Sequence, residues 1–208
     1  MKIEEIEIDK FERKNEFLKY SNRDCPFVSL TTKVEITNLV KYTKEHGRFY
    51  DCMTYLVMKA ANSVKNFCYR HFDGKVWACS EIGVAPVGMR ENESIFFYHG
   101  KFTDTLQAFL IDIETSRNNN ISNPELLEAG HEQDFWISCF PWRKISSLSV
   151  PFDTTFSNPQ IIWDKYEEVD GKFFINIFVF ANHAFVDGLH FAKFFDILEA
   201  YEKQFPNI

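Results

Sequence analysis

Residues 172–190 read KFFINIFVFANHAFVDGLH, and this stretch decides how the C-terminal part of the chain folds. Its first ten residues, 172–181, are nearly continuous in apolar side chains, which is typical of a strand buried on both faces. A tight turn follows, and we expect Gly188 to relieve its backbone. Beyond Gly188 the apolar residues recur at helical spacing, which predicts a final helix.

Helical and strand-like segments alternate along the rest of the chain. Apolar spacing predicts helices over residues 37–47 and 51–71 and a third helix capped by Asp104. Further strands are predicted over residues 76–80, 82–89, 94–98, 135–140 and 160–163. Residues 118–124 are expected to form a loop. No linker or repeat divides the sequence, so we predict one α/β domain over residues 1–208 with a mostly central sheet.

Composition excludes several classes of function. The net charge is −7 and no Lys/Arg run occurs, so the basic surface of a nucleic-acid binder is missing. No apolar run is long enough to cross a membrane. The five cysteines are irregularly spaced and form no C-x-x-C motif, which argues against a zinc site and for free thiols in a reducing compartment. We therefore expect a soluble, cytoplasmic protein without a metal.

The turn after the predicted strand carries the pattern H-x-x-x-D-G, formed by His183, Asp187 and Gly188. A histidine at the end of a buried strand is rigidly aimed, which suits a general base. The alternative is a histidine that only packs in a turn, with Asp187 capping the helix. The residues by themselves leave both interpretations open.

The sequence NHAFVDGLH at 182–190 resembles the signature H-H-A-V-C-D-G-F-H of the chloramphenicol acetyltransferases. By this resemblance His183 is the catalytic base, supported by Asp187 and Gly188, while Asn182 replaces the first histidine. His190 also matches the signature, and we interpret it as a helix residue near the turn.

Two further segments resemble the same family. Residues 137–142, ISCFPW, are similar to V-S-A-x-P-W, which implies that Ser138 donates a hydrogen bond to the oxyanion and that Trp142 contacts the arm of CoA. Lys165 and Tyr166 match a Lys-Tyr pair that lies near the nucleotide end of CoA.

The N-terminal residues 11–20 resemble W-x-R-R-E-x-F-x-x-Y. The match implies that Arg13 pairs with Asp187 and that Tyr20 lines the acceptor pocket, for which Phe96, Phe97 and Ile162 are further candidates. The sequence departs from the family at Ile162, where a threonine is expected, and over residues 143–158. These segments help to shape the acceptor pocket, so the departures affect the prediction of the acceptor more than the prediction of the reaction.

The resemblance implies a two-layer sandwich of the CoA-dependent acyltransferases, with a mixed central sheet and helices on one side. It also implies an enzyme that moves the acetyl group of acetyl-CoA to a hydroxyl of chloramphenicol, in a homotrimer with sites at subunit interfaces. Two alternatives remain: another small hydroxyl, amine or thiol acceptor, and a non-catalytic protein that binds CoA or a hydrophobic ligand. A dihydrolipoyl acyltransferase core is one form of the alternative with another acceptor, and the sequence favours it less.

Overall fold

Among the residues that the structure describes, a seven-stranded mixed sheet forms one layer of the fold. The computed structural model describes residues 1–122, 133–151 and 157–208. The strands of this sheet are β2 (Phe27–Glu35), β5 (Val84–Met89), β6 (Ile95–Phe97), β7 (Phe135–Cys139), β8 (Gln160–Trp163), β9 (Glu167–Val169) and β10 (Lys172–Asn182). Their order is β2-β10-β8-β7-β5-β6, and β9 also pairs with β10. The apolar run at 172–181 is therefore a central strand, as its composition predicts.

In the described part of the chain, a smaller sheet and five α-helices complete the architecture. The smaller sheet has the order β1-β4-β3, from β1 (Lys2–Ile6), β3 (Tyr69–Phe72) and β4 (Lys75–Ser80). The helices are α1 (Lys14–Tyr20), α2 (Thr37–Thr43), α3 (Phe49–Asn62), α4 (Leu106–Ser122) and α5 (Gly188–Gln204).

The main core lies between one face of the large sheet and the helices. Alternate residues of β10, including Ile175, Ile177 and Val179, are fully buried in it. Every helix contributes to the same core, through Phe17, Leu39, Leu56, Phe109 and Leu198 among others. The opposite face of β10 carries Phe178 and Phe180, which form a second apolar cluster with Ile162. Because both faces are covered, the strand is apolar at nearly every position.

The directions of the strands decide which loops share an end of the sheet. β10 pairs antiparallel with β2 and β8, whereas β7 pairs parallel with β8 and with β5. The C-terminal ends of β7 and β8 therefore lie at one end of the sheet, and the C-terminal end of β10 lies at the other. In register, Phe178 of β10 pairs with Ile162 of β8, which pairs with Ser138 of β7.

The prediction of one helix over residues 51–71 was wrong beyond Asn62. α3 ends there, a short 3-10 helix spans Lys65–Cys68, and β3 follows at once. The Asn62 side chain donates to the Ile82 carbonyl and accepts from the Ile82 N–H, which ties the helix end to the strand region. Residues 69–72 then gain a full ladder with β4. β3 and β4 form a hairpin around Asp73 and Gly74, which both have positive φ. This pairing outweighs the helical spacing, because buried backbone groups must find partners.

Two smaller predictions were also wrong. Asn118 to Asn120 are not a loop but lie in α4, where the Asn120 amide donates to the Ser116 carbonyl one turn earlier. Residues 123–124 of that predicted loop lie outside the described residues. The first turn of α4 is capped by the Thr105 hydroxyl, which accepts from the Ala108 N–H, and not by Asp104. The strands β1, β2, β3 and β9 and the helix α1 were not predicted.

Within the described ranges, no helix combines the length and the hydrophobicity needed to cross a bilayer. The same ranges contain no group of three or more His, Cys, Asp or Glu side chains that could hold a metal ion.

Candidate active site

His183 stands at the point where β10 leaves the sheet. Its backbone N–H donates to the Pro26 carbonyl at 2.7 Å, which continues the pairing with the segment before β2. Its ring Nδ1 lies 2.8 Å from the Val186 carbonyl oxygen. Since a carbonyl can only accept, Nδ1 carries the proton and the lone pair of the neutral ring is on Nε2. The turn therefore presents Nε2 as the basic atom.

Asp187 and Arg13 form an ion pair on the far side of the turn. Arg13 Nη1 lies 2.9 Å from Asp187 Oδ2, and its Nε donates to the Ala184 carbonyl at 3.4 Å. Asp187 also caps α5, because its Oδ1 accepts from the Leu189 N–H at 3.1 Å. Burial has the largest effect on the pKa of Asp187 and acts to raise it. The hydrogen bond and charge of Arg13, together with contributions from His190 and the Leu189 N–H, still hold that pKa below its ordinary value. The carboxylate orients the turn and makes no contact with the ring of His183 among the described bonds.

His190 completes the cap of α5. Its Nδ1 accepts from the Asp187 N–H at 3.0 Å, which together with the Asp187 side chain forms a capping box. The same nitrogen lies 3.0 Å from Asp187 Oδ1, an ion-pair distance if the ring were charged. Burial lowers the pKa of His190 and favours the neutral ring, so we assign the acceptor role. His190 is thus a helix residue that also fixes a backbone group of the turn.

Gly188 does not relieve the backbone, so that expectation was wrong. Its φ is not in the left-handed region, and a Cβ placed on it meets no atom within 4 Å. The turn ends in the ordinary backbone of a capped helix, which any residue could adopt.

Tyr20 packs directly against the candidate base. The rings of Tyr20 and His183 have centroids 4.3 Å apart and planes tilted by 34°. Tyr20 is the last residue of α1, and the same N-terminal segment carries Arg13. We call Arg13, Tyr20, His183 and Asp187 the His183 half-site.

Ser138 lies in a different part of the sheet. Its half-buried side chain is on the face of β7 that carries the second apolar cluster, next to Ile162 in the cross-strand register. Phe97 lies on the same face, because it pairs with Val87, one residue beyond the Pro86–Ile137 pair. Its ring is 49% exposed and is available to line a pocket.

The segments that the family resemblance assigns to CoA binding begin at the end of the sheet where Ser138 lies. Trp142 follows β7, and Lys165 and Tyr166 follow the parallel strand β8. The Lys165 N–H donates to the Arg143 carbonyl at 3.3 Å, so the two segments run side by side. The Trp142 side chain is 58% exposed, and Tyr166 contacts Phe49 at 5.1 Å between ring centroids.

A buried carboxylate holds these two segments together. Asp164 accepts from the N–H of Ile145 at 3.1 Å and from the backbone and side-chain nitrogens of Asn176 at 3.0 and 2.9 Å. Lys144 pairs with it at 3.2 Å. We call Phe97, Ser138, Trp142, Ile162, Lys165 and Tyr166 the Ser138 half-site.

Phe96 does not belong to either half-site. It pairs with Gly88, and its buried ring is part of the main core on the opposite face of the sheet from Phe97. A Cβ on Gly88 would lie only 2.4 Å from that ring, so the ring fills the space over the glycine. Adjacent residues of a strand point to opposite faces, so of these two phenylalanines Phe97 remains a candidate for the acceptor pocket and Phe96 does not.

The two half-sites are far apart within one chain. Phe178, which is level with Ser138 across the sheet, precedes His183 by five residues along β10. Strand rise and strand spacing then place the Cα atoms of Ser138 and His183 roughly 19 Å apart. A base and an oxyanion donor that act on one acyl group must both reach within hydrogen-bond distance of it. Within one copy of the chain, His183 and Ser138 are therefore too far apart to act on the same acyl group.

Asn66 and Asn182 also shape the turn, and the sequence analysis assigned a role to neither side chain. The Asn182 side chain accepts from the Ala184 N–H at 2.9 Å, and the Asn66 amide donates to the Phe185 carbonyl at 2.9 Å. Asn66 lies more than a hundred residues from the turn in sequence, so no local pattern connects it to His183.

Known proteins resemble the chain in both sequence and structure. A family model described as chloramphenicol acetyltransferase matches residues 1–199. A chloramphenicol acetyltransferase from Clostridium butyricum is 27% identical over an alignment of 203 residues, and the match covers 93% of this chain and 92% of the relative. Chloramphenicol acetyltransferase 3 from Escherichia coli is 25% identical over 206 residues, with 96% of each chain covered.

Solved structures resemble the whole chain as well. A chloramphenicol acetyltransferase superimposes with a TM-score of 0.82 at 21% identity, covering 96% of this chain and 99% of that one. A probable dihydrolipoamide acetyltransferase from Listeria monocytogenes superimposes with a TM-score of 0.70 at 14% identity, covering 97% and 94%. These similarities establish the fold, an α/β sandwich with a mixed sheet.

Proposed function

Because the chain belongs to the chloramphenicol acetyltransferase family and is an acyltransferase of that type, we propose that it transfers the acetyl group of acetyl-CoA to a hydroxyl of chloramphenicol. The observation that carries the proposal is the fixed ring of His183, whose Nδ1 bond to the Val186 carbonyl leaves Nε2 as a base. The relatives matched along nearly their whole length are named for chloramphenicol.

The proposed base acts on the acceptor and not on the enzyme. An alcohol ionises far above neutral pH, so its proton must leave as its oxygen attacks the thioester carbonyl. His183 Nε2 takes that proton, a tetrahedral intermediate forms, and the imidazolium returns the proton to the departing thiolate of CoA. The products are the acetyl ester and CoA, and no acyl-enzyme is needed.

Three cysteines, Cys52, Cys68 and Cys139, are poor candidates for an acyl-enzyme route. Cys139 is next to Ser138, but burial raises the pKa of its thiol to about 11. Burial also raises the pKa of Cys68 to about 11 and that of Cys52 to about 12. A thiol must ionise to act as a nucleophile, so these side chains stay inert at neutral pH. We assign Ser138 as the oxyanion donor and not as a nucleophile.

Acetyl-CoA fits the end of the sheet that carries Trp142, Lys165 and Tyr166. The exposed aromatic rings offer contacts to the pantetheine arm and adenine, and Lys165 with Arg143 offers positive charge for phosphates. The net charge of −7 makes such a local cluster of cations necessary for an anionic substrate. Acetyl-CoA and reduced thiols both point to the cytoplasm as the proposed compartment.

We propose that the assembly is a homotrimer in which the His183 half-site of one copy faces the Ser138 half-site of the next. The roughly 19 Å between these residues in one chain supports this arrangement, since a second copy must supply the missing half. A cyclic assembly repeats the same contact at every interface, so each site is completed in the same way. Residues 1–208 then act as one catalytic domain whose sites lie between copies.

Subunit mixing tests this assembly directly. The variants His183→Ala and Ser138→Ala are each expected to be nearly inactive, and refolding them together is expected to restore activity. In random trimers from equal amounts, about one quarter of the sites contain both original side chains. Thiol release before and after co-refolding measures the effect. Recovery well below that fraction, with trimers present by light scattering, places both residues in sites within single chains and contradicts the proposal.

The Arg13–Asp187 pair gives a second prediction. Asp187→Asn keeps a side chain that caps helices well but loses the charge that Arg13 contacts. We expect kcat to fall by up to about 100-fold, since small misplacement of a base is costly. Arg13→Met is expected to give a similar loss, and the double variant no more than either, because both remove one interaction. Gly188→Ala is the control and is expected to be active. Additive losses in the double variant contradict the shared role.

A different acceptor is the second candidate function. Ile162 replaces a threonine of the family and is buried with Phe178 and Phe180 against Ile145 and Leu148. Unlike a threonine, Ile162 has no hydroxyl that could hold a water near the oxyanion. Residues 152–156 of the divergent segment lie outside the described residues. An acceptor pocket with such an apolar wall favours a more apolar alcohol.

The deciding experiment measures CoA thiol release from acetyl-CoA with chloramphenicol, and identifies the product by mass. Rapid release with an acetylated product supports chloramphenicol as the acceptor. Release only with other alcohols, amines or thiols supports the second candidate. Binding of acetyl-CoA without release for any acceptor supports a non-catalytic binding protein and overturns the proposed function.

A further inference from the structure

The turn between Ala184 and Val186 has three consecutive carbonyls, and each accepts from a side chain. Arg13 Nε donates to Ala184 at 3.4 Å, Asn66 Nδ2 donates to Phe185 at 2.9 Å, and His183 Nδ1 contacts Val186 at 2.8 Å. Only the third of these donors belongs to the turn itself. The other two come from the N-terminal segment and from the 3-10 helix after α3.

The Asn66 bond fixes the peptide group that joins Phe185 and Val186. The carbonyl of this group accepts from Asn66, and its N–H donates to the Asn182 carbonyl at 3.0 Å. The next peptide group along the chain contains the Val186 carbonyl that holds His183 Nδ1, while its N–H donates to His190. Rotation of the first peptide group would therefore move the acceptor that selects the tautomer of His183.

Asn66 is itself held firmly. Its neighbour Phe67 is fully buried and stacks on Phe194 of α5, with ring centroids 5.2 Å apart. The Phe185 ring on the other side of the bond is 1% exposed. The bond thus connects two segments anchored in the core, and little freedom remains for either partner.

We propose that Asn66 is a positioning residue of the acetyl-transfer site, which holds the Phe185–Val186 peptide group so that His183 presents Nε2 as its basic atom. This inference rests on the proposed function of His183. It concerns the orientation of the base, since Asn66 acts only through the backbone of the turn.

A groove on the outer side of Asn66 determines which substitutions are informative. The groove has a volume of about 480 Å³ and is also lined by Ser63, Lys65, Lys193 and Asp196. Water in this groove can replace the amide of a truncated side chain and hydrogen-bond to Phe185. Asn66→Ala is therefore a weak test. Asn66→Leu occupies similar space, keeps water out and leaves the carbonyl without a donor, and Asn66→Asp places a carboxylate against it.

We expect kcat to be highest in the wild type, lower in Asn66→Ala and lowest in Asn66→Leu and Asn66→Asp. In these last two variants it is expected to be about 10- to 100-fold below the wild type. The KM values for acetyl-CoA and for the acceptor are expected to stay nearly constant, because Asn66 touches neither substrate. Ser63→Ala, on another wall of the groove, is the matched control and is expected to leave kcat unchanged. Thermal unfolding of each variant shows that the assay temperature lies below its Tm.

Nitrogen-15 NMR of histidine-labelled protein gives a readout that needs no acceptor. The signal of His183 is assigned by its loss in His183→Ala. In the wild type we expect this signal to report the tautomer protonated at Nδ1, and in Asn66→Leu we expect it to report a mixture of tautomers. An unchanged kcat and an unchanged tautomer in a folded Asn66→Leu protein overturn this inference alone. An active His183→Ala protein overturns instead the proposed function on which it rests.

Discussion

Replacing His183 with alanine is expected to lower kcat/KM for acetyl transfer by about 10²- to 10⁴-fold, the contribution of a positioned general base. The ring is tied to Val186 through Nδ1, so Nε2 is the only basic atom that the turn presents. CoA thiol release at saturating acetyl-CoA, with the acceptor varied, measures this loss.

His183→Asn separates the base from the structure of the turn. An asparagine amide can still donate to the Val186 carbonyl but cannot take a proton at neutral pH. We expect the same loss of activity with nearly unchanged thermal stability. His46→Ala is the matched control, because His46 is an exposed histidine whose side chain is 60% accessible. Substantial activity in His183→Asn would exclude His183 as the base.

Ser138→Ala is expected to lower kcat by about 10²- to 10³-fold, as the loss of one oxyanion donor does in other acyl-transfer enzymes. The KM for each substrate is expected to change much less, because the hydrogen bond strengthens only as charge develops on the carbonyl oxygen. Steady-state kinetics with both substrates varied separates the two effects.

Cys139→Ala is the matched control for Ser138. The two residues are adjacent in β7 and their side chains point to opposite faces of the sheet. If β7 tolerates truncation, only the serine variant loses kcat. Equal losses in both variants would assign the effect to disturbance of the strand and remove Ser138 from the chemistry.

Much of the fold could be predicted because its signals are local. The strands at residues 160–163 and 172–181 were predicted within one residue of their observed ends, since apolar β-branched and aromatic side chains favour buried strands. The helix after Gly188 was equally clear from its spacing. The helix predicted over residues 51–71 failed where a ladder with β4 took over. The edge strand β2 was missed because half-buried side chains give it a weak apolar signal.

The candidate site, like the fold, has parts that local sequence patterns predict and parts that they do not. The turn of His183 could be predicted from local patterns, because a buried strand, a histidine and a capping aspartate follow one another within a few residues. Its likeness to a family suggested the Arg13–Asp187 pair, and the structure places those groups 2.9 Å apart.

Which groups lie together depends on the tertiary structure. It placed Tyr20 against His183, Asn66 behind the turn and Phe96 in the core. It also put Ser138 and His183 at different positions along the sheet, because β7 and β10 run in opposite directions through their common neighbour β8. Strand direction and register are set by pairing between segments far apart in the chain, and no pattern within a single segment contains them.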